Sequence, residues 1–561
     1  MKPSLLLSLV CAAVTIAGFD AVRAQDSTAR RSAIAATVPL FEGLGPHTRR
    51  VTTDSDLAQR YFNQGLAFLH AFNHDEAIRS FEEATRQDPE CAMAWWGIAF
   101  ANGPHINFPA VPPDRALAAW EALRQARMHA SKGTPVEQAL IGALGRRYAD
   151  PQPEDRAPLD QAFADAMREV WRGYPRDAEV GAFFAESLMD LRPWDLWTSE
   201  GQAQPGTDEV VATLEAVLAL DLNHPLANHL FIHAIEASPN PGLADAAADR
   251  LRDLQPGMGH NVHMPSHIDV RRGRWHEAIT ANAKAIAADR AYRETSRKPP
   301  GFYRLYMAHN QHMLAWAAMM SGQQELALRH IRQMVADIPP DFLEENASWM
   351  DAFAAMPYEV VIRFGRWDEM LAQPQPPDYL PLSRALYHAA RGIAFAAKGD
   401  VPAGRSEQAA FTRAAAAVPD GFTAGNNTAA AVLAIAGPML EGEIRFRAGE
   451  VDAGLARLRD AVAAEDALRY DEPPGWILPV RHSLGASLMK ERLYAQAEQV
   501  YRDDLERLPE NGWSLYGLAQ ALHHQGKHAE AIATDQRFKA IWSKADLQIT
   551  SSCLCVPGAT E

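Results

Sequence analysis

Between Tyr61 and Pro89, large and small residues follow one another at spacings that suit a pair of closely packed helices. Tyr61, Phe68 and Phe81 are the large ones, Gly65, Ala77 and Ala84 the small ones, and Pro89 closes the stretch. Small residues let two helix axes approach, large ones fill the space between them, and proline ends the second helix. The same phase returns near the C-terminus in Leu484, Gly485, Ala497, Tyr501 and Pro509, and again 34 residues on in Ala519, Gly526 and Ala531. A chain built on such a period stacks helix pairs, so 561 residues need not divide into several globular domains.

The period and the residue choices resemble the tetratricopeptide repeat. With Ala58 as position 1, Tyr61 is position 4, Gly65 position 8, Phe68 position 11, Ala77 position 20, Phe81 position 24, Ala84 position 27 and Pro89 position 32; position 7, Gln64, departs. Weaker copies start at Ala92 and lie around Ala244 to Pro256, Gly273 to Ala285 and Gly322 to Pro339. The expected fold is all-α, a right-handed superhelical solenoid of about eleven or twelve helix pairs over residues 55–545. Insertions rich in Pro, Gly or Trp interrupt it at Gly103–Asp114, Arg192–Thr207 and Arg290–Phe302, where loops border a working surface.

Residues 1–24 read as a cleaved signal peptide: Lys2, an apolar run from Leu5 to Ala17, and Val22 and Ala24 just before Gln25. The mature chain is then expected in the periplasm or outside the cell. Residues 25–54 read as a poorly ordered N-terminal segment, and 546–561 as a C-terminal tail, poorly ordered from residue 549 on. No other segment is apolar enough for a membrane span. A formal charge of −16 argues against nucleic acid or an anionic membrane as partner. Cys91 reads as a small core residue, and the Cys553/Cys555 pair is open to a soft metal or a disulfide.

Histidine is concentrated in three motifs: His229 to His233 with Glu236, His263 to His267, and His309 with His312. Spacings of three and four set each pair on one helix face, with Cβ atoms roughly 5–6 Å apart. Pro256, Ala278 and Ala327 fix the repeat phase independently of any histidine. In that phase His229, His263 and His312 take position 5, His233 and His267 position 9, His309 position 2 and Glu236 position 12. In tetratricopeptide repeats, positions 2, 5, 9 and 12 of the first helix line the concave groove. Twelve such positions in three repeats would hold about 0.4 histidines at the chain's overall frequency. Neutral imidazole is a ready ligand for copper and zinc, and neighbouring first helices lie close enough for their imidazoles to converge. The expected site is therefore a metal centre within residues 224–320, with His229, His233, His263, His267, His309 and His312 as ligands. Copper is expected first and zinc second, because Glu236 is the one acid in the three motifs and a di-iron carboxylate centre wants several.

Glu236 is expected as ligand or general base, Glu186 as an acceptor or base near His233, and Tyr306 as a hydrogen-bond partner of a substrate. His70, His74 and His105 stay outside the expected site.

Over nearly its whole length the chain resembles a group of bacterial exported tetratricopeptide-repeat proteins. The resemblance rests on the Tyr61 to Pro89 repeat with Asn73 to Ala77, on Leu191 to Asp195, and on the three histidine motifs. It implies the solenoid. The residues themselves suggest a metal-dependent oxidoreductase acting on a small organic substrate in the groove. A scaffold holding a peptide or protein partner, or a metal storage or delivery protein, is the alternative.

Overall fold

The computed structural model describes residues 38–556. The expected signal peptide lies outside the described residues. Among them, twelve helix pairs follow one another, from Asp56–His70 with His74–Gln87 to Gly512–His524 with His528–Ile541, joined by short 3-10 turns and one extra helix, Pro340–Glu345. The described strands are Thr423–Ala424 and Asn427–Thr428, a two-residue hairpin.

The repeat signature acts as its chemistry demands. Phe81 is fully buried between Gly65 and Gly97, and a Cβ on either glycine would fall inside the contact surface of its ring. Tyr501 stands in the same way between Gly485 and Gly517. The departure at position 7 has a use as well. Gln64 accepts from the Phe41 amide at 2.9 Å and donates to the Pro39 carbonyl at 3.0 Å. Residues 38–53, expected to be loose, are thereby tied to the first helix, and Arg49 reaches Asp177 at 2.8 Å.

The stack does not remain an open groove. Glu76 of the first pair accepts from Tyr292 at 3.0 Å and Ser296 at 2.7 Å of the sixth, so the superhelix meets itself after one turn. A second turn closes in the same manner. Trp275 donates its indole N–H to the Pro509 carbonyl, and Trp513 donates to that of Met319, both at 2.8 Å. Two large cores follow from this, one spanning Val51 to Tyr306 and one spanning Val270 to Val556. The C-terminal tail belongs to the second: Ser551 to Val556 are packed, Ser552 accepts from Arg363 at 2.7 Å, and Cys553 and Cys555 form a disulfide. Residues Ser551 to Val556 of the expected tail thus have fixed partners.

Candidate metal centre

Three successive first helices carry the histidines. Pro225–Glu236 presents His229, His233 and Glu236 on one face. In the next pair, Pro265 has no N–H to donate to the preceding turn, which splits the first helix into Gly259–His263 and Pro265–Arg271 between the two members of its HxxxH motif. Arg304–Met320 adds His309 and His312.

The rings gather into two groups of three. One ligand nitrogen from each of His229, His233 and His260 lies within 4.8 Å of the others, and the same holds for His263, His267 and His309. All but His309, which is half-buried, are buried.

The second nitrogen of the rings is fixed in a consistent way. The Nδ1 atom of His229 donates to the His70 carbonyl at 2.8 Å, that of His233 to Glu236 Oε1 at 2.7 Å, that of His263 to Asn282 Oδ1 at 2.7 Å, and that of His267 to Glu236 Oε2 at 2.5 Å. Four rings thus carry a proton on Nδ1 and turn Nε2 inward, the arrangement that orients histidine toward a cation. The Nε2 atoms of His229 and His233, and both nitrogens of His260, are buried without a hydrogen-bond partner. Such atoms are expensive to bury unless something satisfies them.

Electrostatics favour neutral rings. Burial, reinforced by neighbouring rings, pulls His229, His260, His263 and His309 well below their usual range. Burial also lowers His267, but the Glu236 carboxylate outweighs it and leaves this ring raised. For Glu236, burial works upward and the two bonded histidines work downward, to about 2. Glu236 is therefore an anionic clamp with one oxygen bonded to each group, and one of its oxygens also lies within 4.8 Å of a ring nitrogen of His233 and of His267, a third set of possible ligand atoms.

The other expected residues fall in different places. His312 is outside both groups. Its ring stands 6.0 Å from that of Phe353, and burial takes it down to about 3. Three residues along the helix advance about 4.5 Å, which carries it past the cluster to the adjoining cavity. Glu186 sits with Asp190 and Arg147, its carboxyl raised by burial and by Asp190, and it borders neither cavity beside the histidines. Tyr306 does reach the site, its ring 4.3 Å from His260 and its hydroxyl accepting from Asn107 at 3.1 Å.

Sequence reasoning missed His260, although it occupies position 2 of its repeat, the same groove position as His309. Tyr303 accepts from its backbone amide at 3.1 Å and so fixes it. It also missed Phe72, whose ring is 4.4 Å from His229, whereas Trp194, 5.2 Å from His233, comes from the Arg192–Thr207 insertion expected to border the working surface. Tyr470 and Glu472 arrive from the loop after the tenth pair: the Tyr470 hydroxyl donates to Glu472 at 2.5 Å and lies 3.5 Å from Glu236. Superhelix closure brings these together, and no local pattern announces it.

Two cavities flank the cluster and share Trp194, His233 and Glu472 as a wall. One, of about 540 Å³, is polar and lined by charged residues such as Arg271 and Asp466; the other, of about 460 Å³, is mainly apolar. A separate gathering of His47, His70 and His224 surrounds Glu179. There the Nδ1 atom of His224 accepts from the Ala227 amide, so the neutral ring carries its proton on Nε2 and points it at Glu179. That group is a buried ion-pair cluster.

The family model for the tetratricopeptide repeat matches residues 62–101 and 483–546. No curated protein matches the chain. Among solved structures, the human IFIT1 dimer with m7Gppp-AAAA is 12% identical, with 88% of this chain and 91% of that one covered and a TM-score of 0.32. The Cut9-Hcn1 assembly is 12% identical (94% and 80% covered, TM-score 0.30), and the TPR domain of P58(IPK) 11% (84% and 98%, TM-score 0.20). The repeat matches and the order of helix pairs lead to the same result: this chain is an all-α superhelical solenoid built from tetratricopeptide repeats.

Proposed function

We propose that the protein is an exported metal-dependent oxidoreductase, holding one metal ion in each three-histidine group, copper in preference to zinc, and acting on a small organic molecule. The observation that carries this reading is the set of four Nδ1 anchors, which turn four buried Nε2 atoms into one interior space. An all-nitrogen set favours copper over the other divalent ions. Bound copper would supply one-electron chemistry, whereas zinc would supply activation of water.

The chain's own residues do the preparatory work. Glu236 fixes ring orientation in both groups at once, and Asn282 and the His70 carbonyl do so for His263 and His229. Phe72, Trp194 and Tyr306 enclose the rings and exclude water, which keeps them neutral. A peptide laid along the histidine face, the scaffold alternative, needs an open groove; these histidines are buried, so a partner would have to use another surface. Storage or delivery of metal would share the site without substrate turnover.

The test is metal content by mass spectrometry on untagged, exported protein, with the His263→Ala, His267→Ala double variant beside it. Near-stoichiometric copper or zinc that falls in the variant supports the reading. Absence of metal, with no uptake of added copper or zinc, would sink it.

A further inference from the structure

The apolar cavity says more than that the substrate is small. Its volume of about 460 Å³ exceeds what a single ring fills. His233, His260, His267 and His309 form one end, and Phe108, Phe302, Trp349, Met350, Phe353 and Met356 surround the body. The Phe108 and Phe302 rings are 4.7 Å apart. Aromatic and thioether surfaces of this kind gain dispersion and ring contacts with a flat apolar guest.

No lysine or arginine lines this cavity, whereas Asp471 and Glu472 do. A carboxylate, sulfate or phosphate entering it would lose its hydration and meet no cation. Most polar lining atoms are already paired. Asn107 accepts from the Trp194 indole at 2.9 Å and donates to Tyr306, and Asp471 accepts from the backbone and side chain of Asn426. Glu472 differs: Oε1 accepts from Tyr470, while Oε2 is buried with no partner. The same residue lines both cavities, beside His233. Apart from the unpaired ring nitrogens of His233, His260 and His312, Glu472 Oε2 is the unpaired polar atom that meets a guest, next to the histidines.

We infer that the cavity takes an uncharged, flat, mainly apolar molecule of one or two rings bearing a single hydroxyl, which hydrogen-bonds with Glu472 Oε2 and turns its oxygen toward the histidines. This rests on the histidine groups being the reactive end of the cavity, but its binding test does not require metal.

Metal-free protein is titrated by calorimetry with 2-naphthol, naphthalene, 2-naphthoate and 1-naphthylmethylamine. The expected order puts 2-naphthol about tenfold ahead of the other three, the value of one satisfied buried hydrogen bond. Ala352→Phe, which sets a ring into the cavity from its wall, should weaken 2-naphthol at least about tenfold while metal content stays unchanged. Glu472→Met, which keeps the length and removes both oxygens, should bring 2-naphthol down toward naphthalene. Equal or tighter binding of the naphthoate or the amine, binding of none of the four, or indifference to both substitutions would overturn the inference. A chain that binds 2-naphthol in this order yet takes up no metal would sink the metal reading alone.

Discussion

The Nε2 atoms of His263 and His267 face each other across 2.8 Å. Both rings commit Nδ1–H elsewhere, to Asn282 and to Glu236, so in neutral form the two lone pairs would point at one another. A shared proton relieves that conflict, and so does a cation. His267 is the ring held above its usual value, so it carries the proton in the metal-free protein. Copper added at pH 6 should therefore displace about one proton at this pair, measured by calorimetry in buffers of different ionisation heat. Uptake without proton release would contradict this account.

The two groups should load separately. The His229→Ala, His260→Ala variant is expected to keep about one equivalent of metal in the other group, and His263→Ala, His267→Ala the converse. Mass spectrometry of each variant after dialysis decides it, and loss of all metal from both would show a single shared site.

Glu236→Gln offers one acceptor where two are used. One histidine Nδ1–H then meets an amide N–H, and the ring must turn or change tautomer. Affinity should fall about 10- to 100-fold, as for loss of an orienting partner, read by chelator competition. The protein should keep its helical circular dichroism.

Glu359 accepts from the amides of Ile477 at 2.8 Å and Leu478 at 3.1 Å, and burial pushes its carboxyl up to about 8. Between pH 4.5 and 8 the folded chain holds a proton here that the unfolded chain releases. This contribution to stability is complete below pH 4.5 and is lost as pH rises through 8. Glu359→Gln retains an acceptor and cannot ionise, so its Tm should overtake that of the wild type above pH 8 in a thermal-melt series. A Tm below the wild type at pH 9 would count against it.

Gly485→Ala should cost about 1–3 kcal/mol, because its methyl meets the Tyr501 ring, buried on both faces. Urea melts of the two proteins measure it. Gly449, with nothing within 4 Å of an added Cβ but φ at +82°, is a control for backbone strain alone.

The fold was legible because Gly65, Phe81 and Pro89 state a period, and each does in the structure what its size and backbone require. The histidines were legible for the same reason: register placed His229, His233, His263, His267 and His309 on converging faces. His260 followed from the same rule and was overlooked. Burial of the cluster was not legible, since an isolated repeat gives no sign that six pairs complete a turn and cover their own groove. Phe72, Tyr470 and Glu472 reach the cluster through that closure, Glu472 from more than two hundred positions along the chain from His267. His312 held the right register but reaches past the cluster.

Trp275 on Pro509 and Trp513 on Met319 turn what could be a spring into a frame. An open repeat array tolerates gain or loss of a unit, because each unit touches only its neighbours and the remainder changes length. Here one added pair between Met319 and Pro509 would move both bolts out of reach and draw Glu472 away from the histidines. The number of pairs in that half is thereby set by the site, and change along the chain is confined to the loops between pairs.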